Sequence, residues 1–312
     1  MNSINISGKE LFPIGLGSFG FGEEILKEKG ITDQDQIESM KYALNKGINY
    51  AVGYMTYANG NAVKLLAQAI KEFPDTYLTF CAYPGKSQTV EDAIENFFEF
   101  LEIMGRKEVD TFMVSSTMEG RLGREGLIQL IEYIFEKRYA KTLGLNNFNL
   151  EQLNYFHSIF KDKIVLHEIC HNFEIRVYEE LGIIQRGKEL GIQHIIYQGL
   201  RRNRTALRNW PILVELSQKY GATQNQIILN WLYDLGHLTL VKAGQINHID
   251  ENINSLSFSL SQEDIKLIND SAPLWDLPLL NWQNFDSERD DGLYVAKLSN
   301  VFDDLYPATS LN

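Results

Sequence analysis

The run HEICH, from His167 to His171, has the H-E-x-x-H spacing of a zinc hydrolase site. That site needs a helix, where side chains four residues apart share one face at roughly 6 Å. Here the run lies within KIVLHEICHNF, whose apolar and β-branched residues predict a strand. At ~3.3 Å per residue the two imidazoles would stand about 13 Å apart, too far to share one zinc ion at Zn–N distances of about 2 Å. We therefore expect no metal at this run.

The alternation of a strand gives the same run a different arrangement. Leu166, Glu168 and Cys170 share one face of the strand. His167 and His171 lie on the opposite face. One carboxyl group therefore has apolar neighbours along its own face, which is the kind of environment that raises the pKa of an acid.

A second candidate lies in INYAVGYMTYANGNAVKLLAQAI, residues 48–70. An apolar run leads to Tyr57, an Asn-Gly turn follows, and an apolar-periodic helix comes next. A strand that ends in a turn-to-helix step is where barrel enzymes place their catalytic groups. Just before the turn, however, Val52 stands where a polar residue is expected. The stretch therefore has a tyrosine but no acidic residue before the turn.

The elements that must position these residues alternate along the chain. The predicted strands are LFPIGLGSFG, INYAVGY, TYLTFCAY, VDTFMVSS, AKTLGLNN, IVLHEICHNF, IQHIIYQGL and LTLVKAG. A helical pattern follows each strand, and one of them is the long helical stretch WPILVELSQKYGATQNQIILNWLYDLG. Eight such units in 312 residues favour a (β/α)₈ barrel over an open sheet.

The last part of the chain departs from this alternation. LSQEDIKLINDSA predicts a final helix capped by Ser261, and residues 273–312 are aromatic and irregular. We expect them to form a tail packed across the barrel, within one domain that spans residues 1–312.

Composition excludes several classes of partner. The net charge is −12 without a basic block, which argues against nucleic-acid binding. No apolar run is long enough to span a membrane and no signal pattern opens the chain, so we expect a cytoplasmic protein. We expect its partner to be a small molecule. The two cysteines, Cys81 and Cys170, lie in apolar strand-like runs, which predicts buried thiols rather than a disulfide.

Several segments, in this order, resemble the aldo-keto reductase family over about residues 12–272. LFPIGLGSFGFG resembles the family's first strand, and GINYAVGYMTYANGNAVKLLAQAIKE resembles the segment with its catalytic Asp and Tyr. AKTLGLNNFNLEQLNYF is similar to its Gly-Val-Ser-Asn-Phe segment, HIIYQGL to Tyr-Ser-Pro-Leu, and LTLVKAGQINHIDENI to the cofactor-anchoring segment. The resemblance implies a TIM barrel of the aldo-keto reductase type. It also implies a relation to enzymes that reduce carbonyls with a nicotinamide cofactor.

The resemblance implies that the family's catalytic tetrad has been lost here except for its tyrosine. The family's Tyr falls on Tyr57, its Asp on Val52, its Lys on Ala82 and its His on Ser115. A phenol titrates near pH ~10 unless a neighbouring cation lowers its pKa. Without the lysine, Tyr57 is a weak proton donor, and Ser115 offers only a hydrogen bond to a carbonyl. The alternative for Tyr57 is an aromatic ring kept for packing.

The resemblance also implies a set of cofactor-binding residues. Asn147 would hold the nicotinamide carboxamide, and Tyr197 would stack on its ring. Glu168 points inward and replaces the family's Gln, so it can accept from the carboxamide NH₂ but cannot donate. The other members of the set are Ser18, Gln198, Leu200, Lys242, His248, Glu251 and Asn252.

The adenosine end of that set implies a cofactor without strong selectivity. His248 replaces an arginine that would pair with a 2′-phosphate, so either NADP or NAD fits, with a weak preference for NADP. An ordinary ion pair at a helix start is the alternative for Lys242 with Glu251 and Asn252. Arg201 and Arg202 either reach a phosphate or form a solvated surface pair.

Three hypotheses about function follow. The first is an enzyme whose site serves a reaction other than ordinary carbonyl reduction, with Tyr57, Ser115, Glu168 and Cys170 as the available groups. Glu168 would act there as an acid or a base. The second is a slow NAD(P)H-dependent oxidoreductase that acts on an activated carbonyl. The third is a non-catalytic relative that binds a metabolite or a protein.

Overall fold

Parallel strands close into a barrel in the computed structural model, which describes residues 3–22, 30–242 and 244–271. The barrel strands are β3 (Ile14–Gly17), β4 (Tyr50–Gly53), β5 (Tyr77–Ala82), β6 (Val109–Ser115), β7 (Ala140–Asn146), β8 (Ile164–Cys170), β9 (Gln193–Tyr197) and β10 (Leu238–Val241). They pair in chain order, and β10 closes the ring against β3. The predicted (β/α)₈ barrel and all eight of its strands are confirmed.

Helices follow the strands and form an outer ring. Their bounds are α1 (Asp33–Asn45), α2 (Asn61–Ile70), α3 (Val90–Met104), α4 (Ser116–Glu136), α5 (Leu150–Phe160), α6 (Val177–Glu180), α7 (Ile183–Glu189), α8 (Arg204–Leu207), α9 (Pro211–Tyr220), α10 (Gln224–Asp234), α11 (Ile246–Asn254) and α12 (Gln262–Asp270). The hydroxyl of Ser261 accepts from the Asp264 N–H and begins α12, as predicted. The tail predicted for residues 273–312 lies outside the described residues.

Two apolar layers hold the barrel together, because successive strand residues point to opposite faces. The inner face gives a cluster that includes Tyr50, Val52, Tyr54, Cys81 and Met113. The outer face packs against the helices in a larger cluster. Both cysteines are buried and free, which confirms the prediction of buried thiols.

The structure adds one element that was not predicted and corrects one prediction. A hairpin of β1 (Ile4–Ile6) and β2 (Lys9–Leu11) precedes the barrel, and its Ser7-Gly8 turn has positive φ at both residues. The long helical stretch is two helices, because Gly221 takes a left-handed φ of 62° and ends α9. The hydroxyl of Thr223 then caps α10. Within the described residues, no helix is both long and apolar enough to cross a membrane.

Candidate functional site

Glu168 lies inside the barrel near the carboxyl end of β8 and is only 3% exposed. Its Oε1 accepts a hydrogen bond of 2.6 Å from the Tyr54 hydroxyl, which crosses from the other side of the barrel. Asn146 Nδ2, on the neighbouring β7, lies 3.3 Å from the same oxygen and 3.2 Å from the Tyr54 hydroxyl oxygen. Two side chains, one after β4 and one on β7, therefore converge on a single carboxylate oxygen.

The second oxygen of this carboxyl group has a different environment. Glu168 Oε2 is buried and has no hydrogen-bond partner among the described residues. Burial raises the pKa of Glu168 from 4.5 to about 7, although the hydrogen bonds from Tyr54 and Asn146 lower it. The raised pKa that the sequence suggested has this cause. Near neutral pH the carboxyl group can both hold and accept a proton, and Oε2 is the atom free to do so.

A stack of aromatic side chains leads from Tyr54, the partner of Glu168, to the protein surface at Phe19. The Tyr54 ring stacks on the Tyr57 ring at 4.7 Å, and Tyr57 meets Phe19 edge-on at 5.1 Å. The Arg202 guanidinium lies 4.9 Å from the centre of the Phe19 ring, and Phe19 is 42% exposed. Tyr57 is half-buried within this stack.

Three residues that the resemblance matched to the family's Asp, Lys and His are buried: Val52, Ala82 and Ser115. Val52 lies in β4 and Ala82 ends the neighbouring β5, and they are 1% and 2% exposed. The Ser115 hydroxyl accepts from the Met118 N–H as the N-cap of α4 and lies 3.1 Å from the Ala82 carbonyl oxygen. The Thr117 hydroxyl is 2.8 Å away. Ser115 thus has a complete set of partners within the protein.

An amide pair joins the candidate carboxamide site to Glu168. Asn147 Oδ1 accepts from the hydroxyls of Tyr178 at 3.1 Å and Tyr197 at 3.0 Å. Asn147 Nδ2 donates to Asn146 Oδ1 at 3.2 Å. Asn147 and Tyr197 therefore lie together, one hydrogen-bonded residue away from Glu168. Burial raises the pKa of Tyr197 well above its ordinary value, so its hydroxyl is a donor at neutral pH.

The loop residues of the predicted cofactor set follow β3 and β9, the two strands that flank β10. The Ser18 hydroxyl donates to the Val52 carbonyl at 2.9 Å, next to the barrel interior. Gln198 follows Tyr197 in the chain, is exposed, and takes a left-handed φ of 56°. The thiol of Cys170 donates to Gln198 Oε1 at 3.8 Å. Leu200 is half-buried in the same loop.

The adenosine part of the set lies along β10 and α11. The exposed Lys242 ammonium is 5.6 Å from the centre of the Phe21 ring. Glu251 Oε1 accepts from the Thr223 hydroxyl at 2.6 Å, and Asn252 is buried on the same helix. His248 is half-buried one turn earlier.

Arg201, the first of the two arginines after β9, lies inside the protein. Arg201 is 2% exposed and forms an ion pair with the buried carboxylate of Glu174. Glu174 also accepts from Arg208 at 2.9 Å and from Trp210 Nε1 at 2.7 Å. The expectation of a solvated surface pair is therefore wrong for Arg201. Its charge is matched inside the protein by a carboxylate far from it in the chain.

The HEICH run is a strand, as predicted, within β8 and the residue that follows it. Phe148 donates its N–H to His167 Nε2 at 3.1 Å, on the helix side of the sheet. Among the residues that the structure describes, no group of three or more His, Cys, Asp or Glu side chains could hold a metal ion. The absence of zinc stays a prediction.

Two residues of the site were missed by sequence reasoning. Tyr54 and Asn146 both hydrogen-bond to Glu168, yet only Tyr57 and Asn147 were singled out. Strand alternation was a usable signal, because Tyr54 is two residues beyond the inward Val52. The hydrogen bond itself links strands that are not neighbours, so only closure of the barrel creates it.

Comparison with known proteins agrees with this architecture. The Aldo/keto reductase family model matches residues 13–272. A chloroplastic pyridoxal reductase from Arabidopsis thaliana is 23% identical over 304 residues, which cover 81% of this chain and 80% of that protein. The uncharacterised oxidoreductase YtbE of Bacillus subtilis is 24% identical over 57% of this chain, and the match spans only 61% of YtbE.

Solved structures support the same fold. The thermostable aldo-keto reductase Tm1743, in complex with the inhibitor epalrestat, superimposes with a TM-score of 0.78 at 23% identity, over 87% of this chain and all of that one. An aldo/keto reductase from Klebsiella pneumoniae, in complex with NADP and acetate, gives 0.75 at 18% identity, over 88% and 96% of the two chains. With the family model matching most of its length, the chain belongs to the Aldo/keto reductase family.

Proposed function

We propose that this chain is a small-molecule enzyme in which Glu168, not the family's tetrad, transfers the proton. The observation that carries the proposal is the buried Glu168 carboxyl group, with one oxygen held by Tyr54 at 2.6 Å and the other without a partner among the described residues. A buried acid with a pKa near 7 inside the active end of a barrel is the usual setting of an acid–base group.

The two carboxyl oxygens of Glu168 would have different roles. Oε1 receives the Tyr54 hydroxyl and the Asn146 amide, which orient the carboxyl group and stabilise its ionised form. Oε2 takes the proton: a substrate C–H or O–H bond breaks, its electron pair stays on the substrate, and the carboxylate becomes a carboxylic acid. The same proton then returns to another substrate atom. This sequence balances as an isomerisation or exchange and needs no oxidant or reductant.

Ordinary carbonyl reduction fits the site less well. By the resemblance, Val52 and Ala82 stand where the family has its aspartate and lysine, and both are buried apolar residues that cannot ionise. Ser115 caps α4 and has its partners within the protein. Val52→Asp, Ala82→Lys and Ser115→His made together are expected to raise aldehyde reduction, and each alone to do little, since tetrad residues act as a unit.

A redox-independent assay tests the proposal. Small carbonyl compounds are incubated with the protein in D₂O, and incorporation of deuterium next to the carbonyl is followed by NMR. We expect exchange whose rate has an inflection near pH 7 and is lost in Glu168→Gln. Tyr54→Phe should lower the rate and move the inflection upward, whereas Tyr57→Phe should change neither. Exchange by Glu168→Gln at the natural rate would refute the proposal.

A second candidate is a nicotinamide-dependent oxidoreductase. It is favoured by the buried Glu168 Oε2, which no described residue bonds, since an amide NH₂ group such as that of a carboxamide would satisfy this acceptor. Asn147 and Tyr197 would line the same place, and Lys242, Glu251 and Asn252 would hold the adenosine end. The cofactor would supply a hydride to a carbonyl.

The pH dependence of cofactor binding distinguishes the two candidates. If the carboxamide donates to Oε2, NADPH binds best to the ionised carboxylate, so its affinity rises as the pH passes upward through 7. Nicotinamide fluorescence measures this affinity, and NADH serves as the comparison because selectivity for the 2′-phosphate is expected to be weak. In Glu168→Gln the dependence on pH should disappear. Affinity that is flat between pH 6 and 8 in the natural protein would exclude Glu168 as the carboxamide acceptor.

A further inference from the structure

Four buried histidines form a continuous row behind β8, β9 and β10, which we call the histidine cluster. Its members are His167, His171, His194 and His237, none of them more than 1% exposed. Neighbouring ring centres are 5.6 Å apart for His167 and His194, 6.0 Å for His194 and His237, and 5.6 Å for His237 and His171. Adjacent strands supply the row, since His167 and His194 face each other directly in the β8–β9 register.

Hydrogen bonds orient two of these rings, and the bond to His167 requires a neutral imidazole. The Phe148 N–H points at His167 Nε2, so that nitrogen must keep its lone pair. A protonated His167 would direct a second N–H at the same donor and lose the bond. His194 Nε2 lies 3.0 Å from the Ile184 carbonyl oxygen and donates to it. A Cβ added at Gly187 would come within 2.3 Å of that ring, so α7 packs directly upon it.

Few charged groups face the cluster from the surrounding elements. On α6, Glu179 Oε2 lies 3.8 Å from His171 Nε2. Arg176 and Lys188 are the cations that act on the cluster, and both oppose protonation. The Nδ1 atoms of all four rings have no hydrogen-bond partner among the described residues. A new positive charge on His194 or His237 would meet other imidazoles and the Lys188 ammonium rather than water, whereas His171 has the Glu179 carboxylate 3.8 Å away.

We propose that the histidine cluster is an acid-sensitive device that opens the β8–β9–β10 sector when the rings take up protons. The same sector carries Glu168 and Tyr197 on its inner side, so its opening would remove the candidate active site. The inference does not depend on the reaction, because it rests only on the packing behind the sheet.

The expected titration follows from burial. Burial lowers the pKa of His171 to about 3 and that of His194 to about 4, and it holds His167 and His237 well below 6.5. In the unfolded or opened chain all four recover a pKa near ~6.5. At a pH between the unfolded and the folded pKa values, the histidines therefore bind protons when the protein opens. The stability of the folded protein falls as the pH drops below about 6.5. Glu168 has a raised pKa in the folded protein, so it releases about one proton on unfolding in this range, which opposes the uptake by the histidines.

Proton uptake on unfolding tests the proposal. Urea unfolding is followed by circular dichroism from pH 5 to 6.5, and the dependence of the unfolding equilibrium constant on pH gives the number of protons bound. We expect His194→Gln and His237→Gln each to bind about one proton fewer than the natural protein. His157→Gln, on the half-exposed face of α5, is the matched control and should leave the number unchanged. Because the number is a slope, a general loss of stability in a variant does not affect it.

A direct measurement covers variants that fail to fold. In the natural protein with labelled histidine, NMR should find four imidazoles neutral down to the pH at which the folded signals disappear. Backbone amide hydrogen exchange, corrected for the intrinsic rate, is compared between strands as the pH is lowered from 7 to 5.5. The exchange rate in β8, β9 and β10 should rise at a higher pH than the exchange rate in β5 and β6. A cluster ring that becomes charged while the protein stays folded, uptake unchanged by both variants, or uniform exchange would each overturn the proposal.

Discussion

Replacing Glu168 by Gln is expected to stabilise the protein by an amount that grows with pH. The variant keeps an oxygen that can accept from Tyr54 but removes the buried ionisation. Burial raises the Glu168 pKa from 4.5 to about 7. A group whose folded pKa is raised contributes its full stability below the unfolded pKa, and this contribution is lost as the pH rises through the folded value. The loss falls between about pH 4.5 and 7.

The size of the effect follows from the shift. Each pKa unit corresponds to ~1.4 kcal/mol. Relative to a neutral group that does not titrate, Glu168 therefore lowers the free energy of unfolding by about 1.4 kcal/mol at pH 5.5 and by about 3 kcal/mol at pH 8. The free energy of unfolding of Glu168→Gln, relative to the natural protein, should therefore increase by about 2 kcal/mol between these two pH values. The amide NH₂ of Gln would stand at the Oε2 position without a partner among the described residues, which changes the free energy of unfolding by the same amount at every pH. The difference between the two pH values is therefore unaffected.

The assay is urea unfolding at pH 5.5, 6.5, 7.5 and 8.5, with both proteins measured side by side. Glu95→Gln makes the same chemical change at an exposed position of α3 and is the control. Its stability difference should stay within about 0.5 kcal/mol across the series. If the Glu168→Gln difference were as flat as that of Glu95→Gln, the carboxyl group would not be held in a desolvated site and our reasoning would be refuted.

Three further predictions concern the surroundings of the site. Ser115→Ala removes the N-cap of α4 and should lower the free energy of unfolding by about 1 kcal/mol in urea titrations, whereas Ser115→Thr should recover most of it. Glu174→Gln leaves Arg201 and Arg208 without their buried carboxylate and should destabilise by about 3–5 kcal/mol; a loss below about 1 kcal/mol would contradict the pairing. Elemental analysis should find no stoichiometric zinc in the purified protein, and one zinc per chain lost in His171→Ala would contradict the strand geometry.

The fold was predictable from the sequence because local signals agree along most of the chain. Alternating strands and caps such as Ser261 depend only on residues close in sequence. The inner face of β8 followed from the period of a strand. The split of the long helical stretch was also readable, since Gly221 and Thr223 are a stop signal and a start signal two residues apart.

The contacts within the site were harder to predict, because they join distant parts of the chain. Tyr54 meets Glu168 across 114 positions, and their strands are not neighbours in the barrel. The burial of Arg201 depends on Glu174, which lies in the loop after a different strand. Residue type and local period place such groups on a face but do not pair them. Position-by-position resemblance therefore drew attention to Tyr57 and away from Tyr54.

The rate of NADPH oxidation with activated aldehydes tests most directly whether the chemistry has moved from the family's tyrosine to Glu168. The natural protein, Tyr57→Phe and Glu168→Gln are compared at pH 7, with absorbance as the readout. We expect at most a slow background in the natural protein that Tyr57→Phe leaves unchanged, because the resemblance places the buried apolar residues Val52 and Ala82 where the family has its aspartate and lysine. Brisk oxidation by the natural protein that Tyr57→Phe abolishes would contradict the proposal and establish an ordinary reductase.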